Sequence, residues 1–198
     1  AGAAIALPLS VCAHGSEFLL AKVQLMKDTS LLVEVTADYG ENPMLSTEDE
    51  ARAALKDVLN VRVGEQSHAL NEAVPVHFEK RSRQDPSAPL PPDPLAENKP
   101  HQLLTATWRW KPQEDAIAFE VPKGTPHTLI MWVTDEQQPD VKPKWQMLIG
   151  GDVSPPISLP RNPWTVDGLT LVLIGALLML AVLVWAKRTR SLKVPLGS

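Results

Sequence analysis

VDGLTLVLIGALLMLAVLVWA, residues 166–186, is the stretch around which the rest of the chain is arranged. Positions 169–186 hold 18 consecutive residues without a charge, the length expected of a transmembrane helix. Asn162-Pro163 supplies a cap and a first-turn proline ahead of it. Trp164 and Trp185 stand 21 positions apart. At roughly 1.5 Å per residue that is about 31 Å, so the two indoles are expected at opposite interfaces. Gly175 and Ala176 form a small patch suited to close helix packing. The span has no ionisable or amide side chain between Gly168 and Ala186, which makes it an anchor and not a proton path, pore or haem ligand.

Lys187, Arg188, Arg190 and Lys193 follow the run, and no acid offsets them. The inside-positive bias then places the C-terminus in the cytoplasm and the rest of the chain outside. Residues 14–163 carry 15 Lys and Arg against 22 Asp and Glu. That acidic balance argues against gripping nucleic acid, which needs a basic footprint. The single cysteine, Cys12, excludes a disulfide within the chain and any multi-thiolate metal centre.

These features divide the chain into segments. Residues 1–13 are apolar and end in small residues, like the close of an export signal or a hydrophobic N-terminal segment. Residues 14–149 form an extracytoplasmic domain, 150–163 a Pro/Gly stalk, 164–186 the membrane helix and 187–198 a basic tail. Within the domain, Leu31, Val33, Val35 and Ala37 alternate with Leu32, Glu34 and Thr36, the period of a half-buried strand. Residues 27–30 suit a hairpin turn joining it to a strand over 18–26. Thr47 and Glu50 have the spacing of a capping box, so a helix begins there with an Ala51, Ala54, Leu55, Val58, Leu59 stripe. Further strands are expected at 61–64, 74–78, 102–110, 116–121, 128–133 and 145–149. The predicted fold is therefore mainly β: a periplasmic β-sandwich with one short inserted helix, plus a single C-terminal transmembrane helix.

Residues 81–100, RSRQDPSAPLPPDPLAENKP, exclude a helix or a central strand. They read either as a surface excursion or as an extended arm laid on a partner, with Pro91, Pro92 and Pro94 as contacts. Of the domain's tryptophans, Trp108, Trp110, Trp132 and Trp145, two are expected in the core. Trp145, beside Lys142-Pro143-Lys144, is the candidate for contact with a neighbour or with lipid headgroups.

The sequence carries no nucleophile elbow, phosphate loop, dinucleotide fingerprint or paired metal-ligand spacing. It therefore points to no catalytic residue, no cofactor, no nucleic acid and no small-molecule substrate. The function expected is a non-catalytic accessory or scaffold subunit of a bacterial inner-membrane complex, respiratory or photosynthetic. Its partners would be integral membrane subunits and lipid. The alternative is a membrane-tethered periplasmic copper-binding or sensory module, with His14 as a mature N-terminus and His77 or His127 completing the site.

Overall fold

The computed structural model describes residues 17–89, 101–159 and 168–191. It divides into two compact units, Ala1–Pro160 and Arg161–Ser198. The first holds two sheets. The larger has six strands in the order β5-β6-β2-β1-β8-β9: β1 Leu19–Leu25, β2 Leu31–Asp38, β5 His77–Arg81, β6 Leu103–Trp110, β8 Leu129–Asp135 and β9 Lys144–Leu148. The smaller has four, β10-β7-β3-β4: β3 Asn60–Val63, β4 Gln66–Ala69, β7 Ala116–Glu120 and β10 Ile157–Ser158. Every pairing between named strands is antiparallel except β1 with β8, which run parallel from Leu19 opposite Leu129 to Leu25 opposite Asp135.

The two-residue period in β2 sorts its side chains as polarity requires. Leu31, Val33, Val35 and Ala37 are fully buried, while Glu34 and Thr36 lie on the opposite face. The hairpin before it closes with Met26 N–H donating to the Ser30 carbonyl at 2.9 Å, and Thr29 takes a positive φ of 64° in the turn. Helix α1, Glu48–Lys56, begins with both halves of the capping box, and its first-turn acids sit at the positive helix end. Ala51 and Leu55 bury against β2 and β6. On the exposed side, Glu48 binds Lys80 at 2.6 Å and Arg52 at 3.0 Å, and the Arg52 guanidinium lies 4.6 Å from the centre of the Phe78 ring. A single short turn, α2 Leu70–Ala73, follows β4.

These facts correct the predicted β-sandwich. The architecture is mixed α/β, without a closed sandwich. The inner face of the six-stranded sheet is covered partly by α1 and partly by the small sheet, and one hydrophobic cluster draws on all three layers. The helix takes space that a second full sheet would need. Residues 150–159 continue into this unit. Gly151 N–H donates to Val121 at 2.8 Å, Ser154 N–H to Phe119 at 2.7 Å and Leu159 N–H to Asp115 at 2.8 Å, and β10 pairs with β7.

The second unit contains helix α3, Gly168–Ser191. Among the described residues no helix is long and apolar enough to cross a membrane. That finding corrects the transmembrane helix, the single-pass inner-membrane localisation with a periplasmic domain, and both functions built on them. The accessory or scaffold subunit of a respiratory or photosynthetic membrane complex loses its anchor, and so does the membrane-tethered copper or sensory module.

Two substitutions separate core from surface. Phe119→Ala empties a fully buried aromatic site and is expected to cost about 3–5 kcal/mol in urea denaturation. Trp145→Ala, at an exposed position, is expected to stay within about 0.5 kcal/mol of the parent. Equal losses for the two would contradict the assignment of Phe119 to the core.

Candidate interaction surface

The outer face of the six-stranded sheet is built from the alternate residues that the core does not take. On β1 these are Leu20, Lys22 and Gln24; on β8, Ile130, Trp132 and Thr134; on β9, Trp145 and Met147. Register sets them side by side. Leu20 pairs with Ile130, Lys22 with Trp132, Ile130 with Met147, and Trp132 with Trp145. An apolar band therefore crosses three strands, Leu20–Ile130–Met147, flanked by the Trp132–Trp145 pair.

Half of that band is already covered. Leu20, Ile130 and Trp132 are buried in a second, smaller cluster together with the partly buried Phe18 and Ala88. The cover is the start of the proline-rich segment, which folds back over its own sheet. Asp85 organises it. Its carboxylate accepts the Ser87 N–H at 2.7 Å, and its carbonyl accepts the Ala88 N–H at 3.0 Å, a turn consistent with Asp-Pro-Ser. The same carboxylate binds Lys22 Nζ at 2.7 Å, and the Ser87 hydroxyl accepts the Trp132 indole N–H at 3.3 Å. Beside it, Arg81 binds Glu34 at 2.6 Å and Glu79 at 3.2 Å. Between these pairs a cavity of about 10 Å³ has room for roughly one water.

The other half is open. Trp145 is 58% exposed and Met147 51%, and Ile149 just beyond the strand is 55% exposed. β9 is also the end strand of the sheet, so among the described residues one of its edges has no strand partner. An apolar ladder on an unpaired edge is uncommon, because such edges are templates for further pairing. At the strand's far end, Gly150 and Gly151 make a tight turn. A Cβ on Gly150 would stand 3.2 Å from the Thr125 carbonyl oxygen, and Gly151 has a φ of 92°.

The other residues marked in the sequence are placed as follows. Trp108 and Trp132 are buried, and Trp110 is half-buried. Trp185 is exposed on α3, Ala176 is exposed, and a Cβ on Gly175 would meet nothing within 4 Å. Lys187, Arg188 and Arg190 fall in the C-terminal part of α3. Trp164, Lys193, Pro91, Pro92, Pro94 and His14 lie outside the described residues. His77 is exposed on β5, and His127 is buried two residues before β8. Four strand spacings separate β5 from β8, roughly 19 Å, so these two histidines do not share a metal site. Asp135 and Glu136 are already engaged, by Gln137 N–H at 2.8 Å and by Gln24 at 3.0 Å and Lys27 N–H at 3.1 Å. Among the described residues no three His, Cys, Asp or Glu side chains form a group able to hold a metal.

Sequence reasoning singled out Trp145 but missed Met147 and the docked residues Asp85 and Ser87. The signals were present: Trp145, Met147 and Ile149 alternate, and Asp-Pro-Ser is a turn sequence. No known protein family, curated protein or solved structure matches the chain, so the surface itself carries the functional argument.

Two groups give this unit a pH response. Burial acts to raise the Asp85 carboxyl, but hydrogen bonds from Lys22 and Ser87 outweigh it and hold the group below its ordinary 3.8. Its contribution is complete above that value and is lost as pH falls through the lowered folded-state value. The Trp132 indole resonance is therefore expected to hold its position until below about pH 4, and to be displaced already at neutral pH in Asp85→Asn. A resonance unmoved by the substitution would contradict the docking of this segment.

His127 works in the opposite range. Burial pushes its imidazole below the ordinary 6.5, and Nδ1 has no partner among the described residues. The unfolded chain takes up this proton at higher pH than the fold does, so stability is full above about pH 6.5 and falls as pH drops through it. Urea titrations at about pH 7.5 and 5.5 are expected to show a loss in the parent that is smaller in His127→Gln. Identical losses would exclude His127 as the source.

Proposed function

We propose that this chain is a non-catalytic protein-binding module whose partner docks on strand β9. The observation that carries the reading is the exposed Trp145–Met147 ladder on the open edge of a sheet whose adjoining apolar band is already buried. Backbone groups on an end strand offer hydrogen bonds to an extended segment, and alternate side-chain positions supply selectivity. Trp and Met are suited to the task. Indole gives a large apolar area with few rotamers, and the thioether adapts to its neighbour.

The root of the proline-rich segment supports this reading by example. An irregular stretch with Ala88 and Ser87 at its apolar and polar contacts is held on the outer face beside Trp132. The same face extends to Trp145 and Met147 with nothing described over it. The acidic balance of the chain favours a protein partner over nucleic acid.

The test is selection from a displayed library of random peptides on the full chain, in parallel with a Trp145→Asp/Met147→Asp variant. Both positions are exposed, so the variant is expected to keep its fold. The reading predicts enriched peptides of alternating apolar pattern, whose capture falls by about tenfold or more on the variant. Undiminished capture by the variant would contradict it.

A further inference from the structure

Beyond β9's N-terminal end, the loop between β8 and β9 leaves a cleft of about 180 Å³ lined by Val133, Thr134, Asp135, Gln138, Val141, Lys142 and Lys144, two cations against one anion. Its groups are unevenly satisfied. Asp135 is held by Gln137 N–H at 2.8 Å. The Thr134 hydroxyl is buried and has no partner among the described residues. Among the described residues Lys142 and Lys144 enter no ion pair or side-chain hydrogen bond, although acids outnumber bases along the chain.

Pro143 sits between the two lysines. It has no N–H to give a new strand, so pairing along the edge of β9 ends at Lys144. A segment docked on β9 must leave the strand direction at that point, where the cleft begins. Val133 and Val141 offer it apolar walls, and the lysine ammonium groups and the Thr134 hydroxyl offer donors without acceptors.

From this placement we infer that the partner segment carries an Asp or Glu side chain immediately beyond its strand-forming stretch, and that this carboxylate is received by Lys142, Lys144 and Thr134. The inference rests on the reading of β9 as the docking strand and adds the partner's chemistry to it. Two charge-assisted contacts at the rim chiefly set orientation and encounter rate, which makes the preference salt-dependent. A lysine pair that served only to deter unwanted edge pairing would show no such preference.

The experiment uses the full chain with 5-fluorotryptophan and two synthetic peptides of roughly ten residues. Both share an alternating Val-Thr stretch; one ends in Asp-Glu and the other in Lys-Lys. Fluorine resonances report Trp145, and titration gives affinity. The acidic peptide is expected to bind at least about tenfold more tightly, with the difference shrinking at about 0.5 M salt. In Lys142→Glu/Lys144→Glu the order is expected to invert. Equal affinities with a displaced Trp145 resonance would overturn the carboxylate preference and leave docking on β9 standing. No binding of either peptide would overturn both.

Discussion

The parallel pairing of β1 with β8 is the constraint on which the rest of the structure depends. Two parallel neighbours cannot be joined by a tight turn, so the chain between Leu25 and Leu129 has to make a long detour before β8 can lie beside β1. That detour contains α1, the entire β3–β4 hairpin, β7 and the proline-rich segment, while β2, β6 and β5 are laid outward on the far side of β1. The detour supplies the second layer, part helix and part small sheet. With β1 fixed centrally, β8 and then β9 grow toward the opposite edge. The open ladder of Trp145 and Met147 is thus a consequence of where the chain runs after the parallel pair is made.

Chemistry follows from the same arrangement. Lys22, Glu34 and Trp132 are brought to adjacent positions on β1, β2 and β8, and that juxtaposition makes a seat for Asp85 and Ser87. The ionic part of the seat is modest, because a partly solvated Lys–Asp pair is worth little by itself. The burial of Leu20, Ile130 and Trp132 carries the affinity, and the hydrogen bonds fix the register. By extension, an external segment on β9 would draw its energy from Trp145 and Met147 and its orientation from polar groups at the rim.

Much of the local structure could be read from residue order. The alternation in β2, the turn before it, the Thr47–Glu50 box and the inward Leu104–Ala106–Trp108 series are all short-range patterns, and each appears where the pattern demands. Trp145 could be distinguished from its buried counterparts by its position next to two lysines. The layering could not, because a helix stripe and a strand stripe look equally able to cover a sheet face. Nor could the parallel pairing, which joins residues about 110 positions apart. The fold-back of residues 82–89 was obscured by their prolines, which indicate extended chain without indicating what it lies on. The apolar composition of residues 166–186 suggested a membrane span, a reading the described helix does not sustain.

The measurement that tests the account most directly is backbone hydrogen exchange of the full chain, alone and with a saturating peptide ligand. Docking on β9 predicts slow exchange in β1, β2 and β8 in both states, with new protection confined to the open edge of β9 and the loop before it. Protection that appears elsewhere while β9 stays unchanged would contradict the assignment of this strand as the interaction surface.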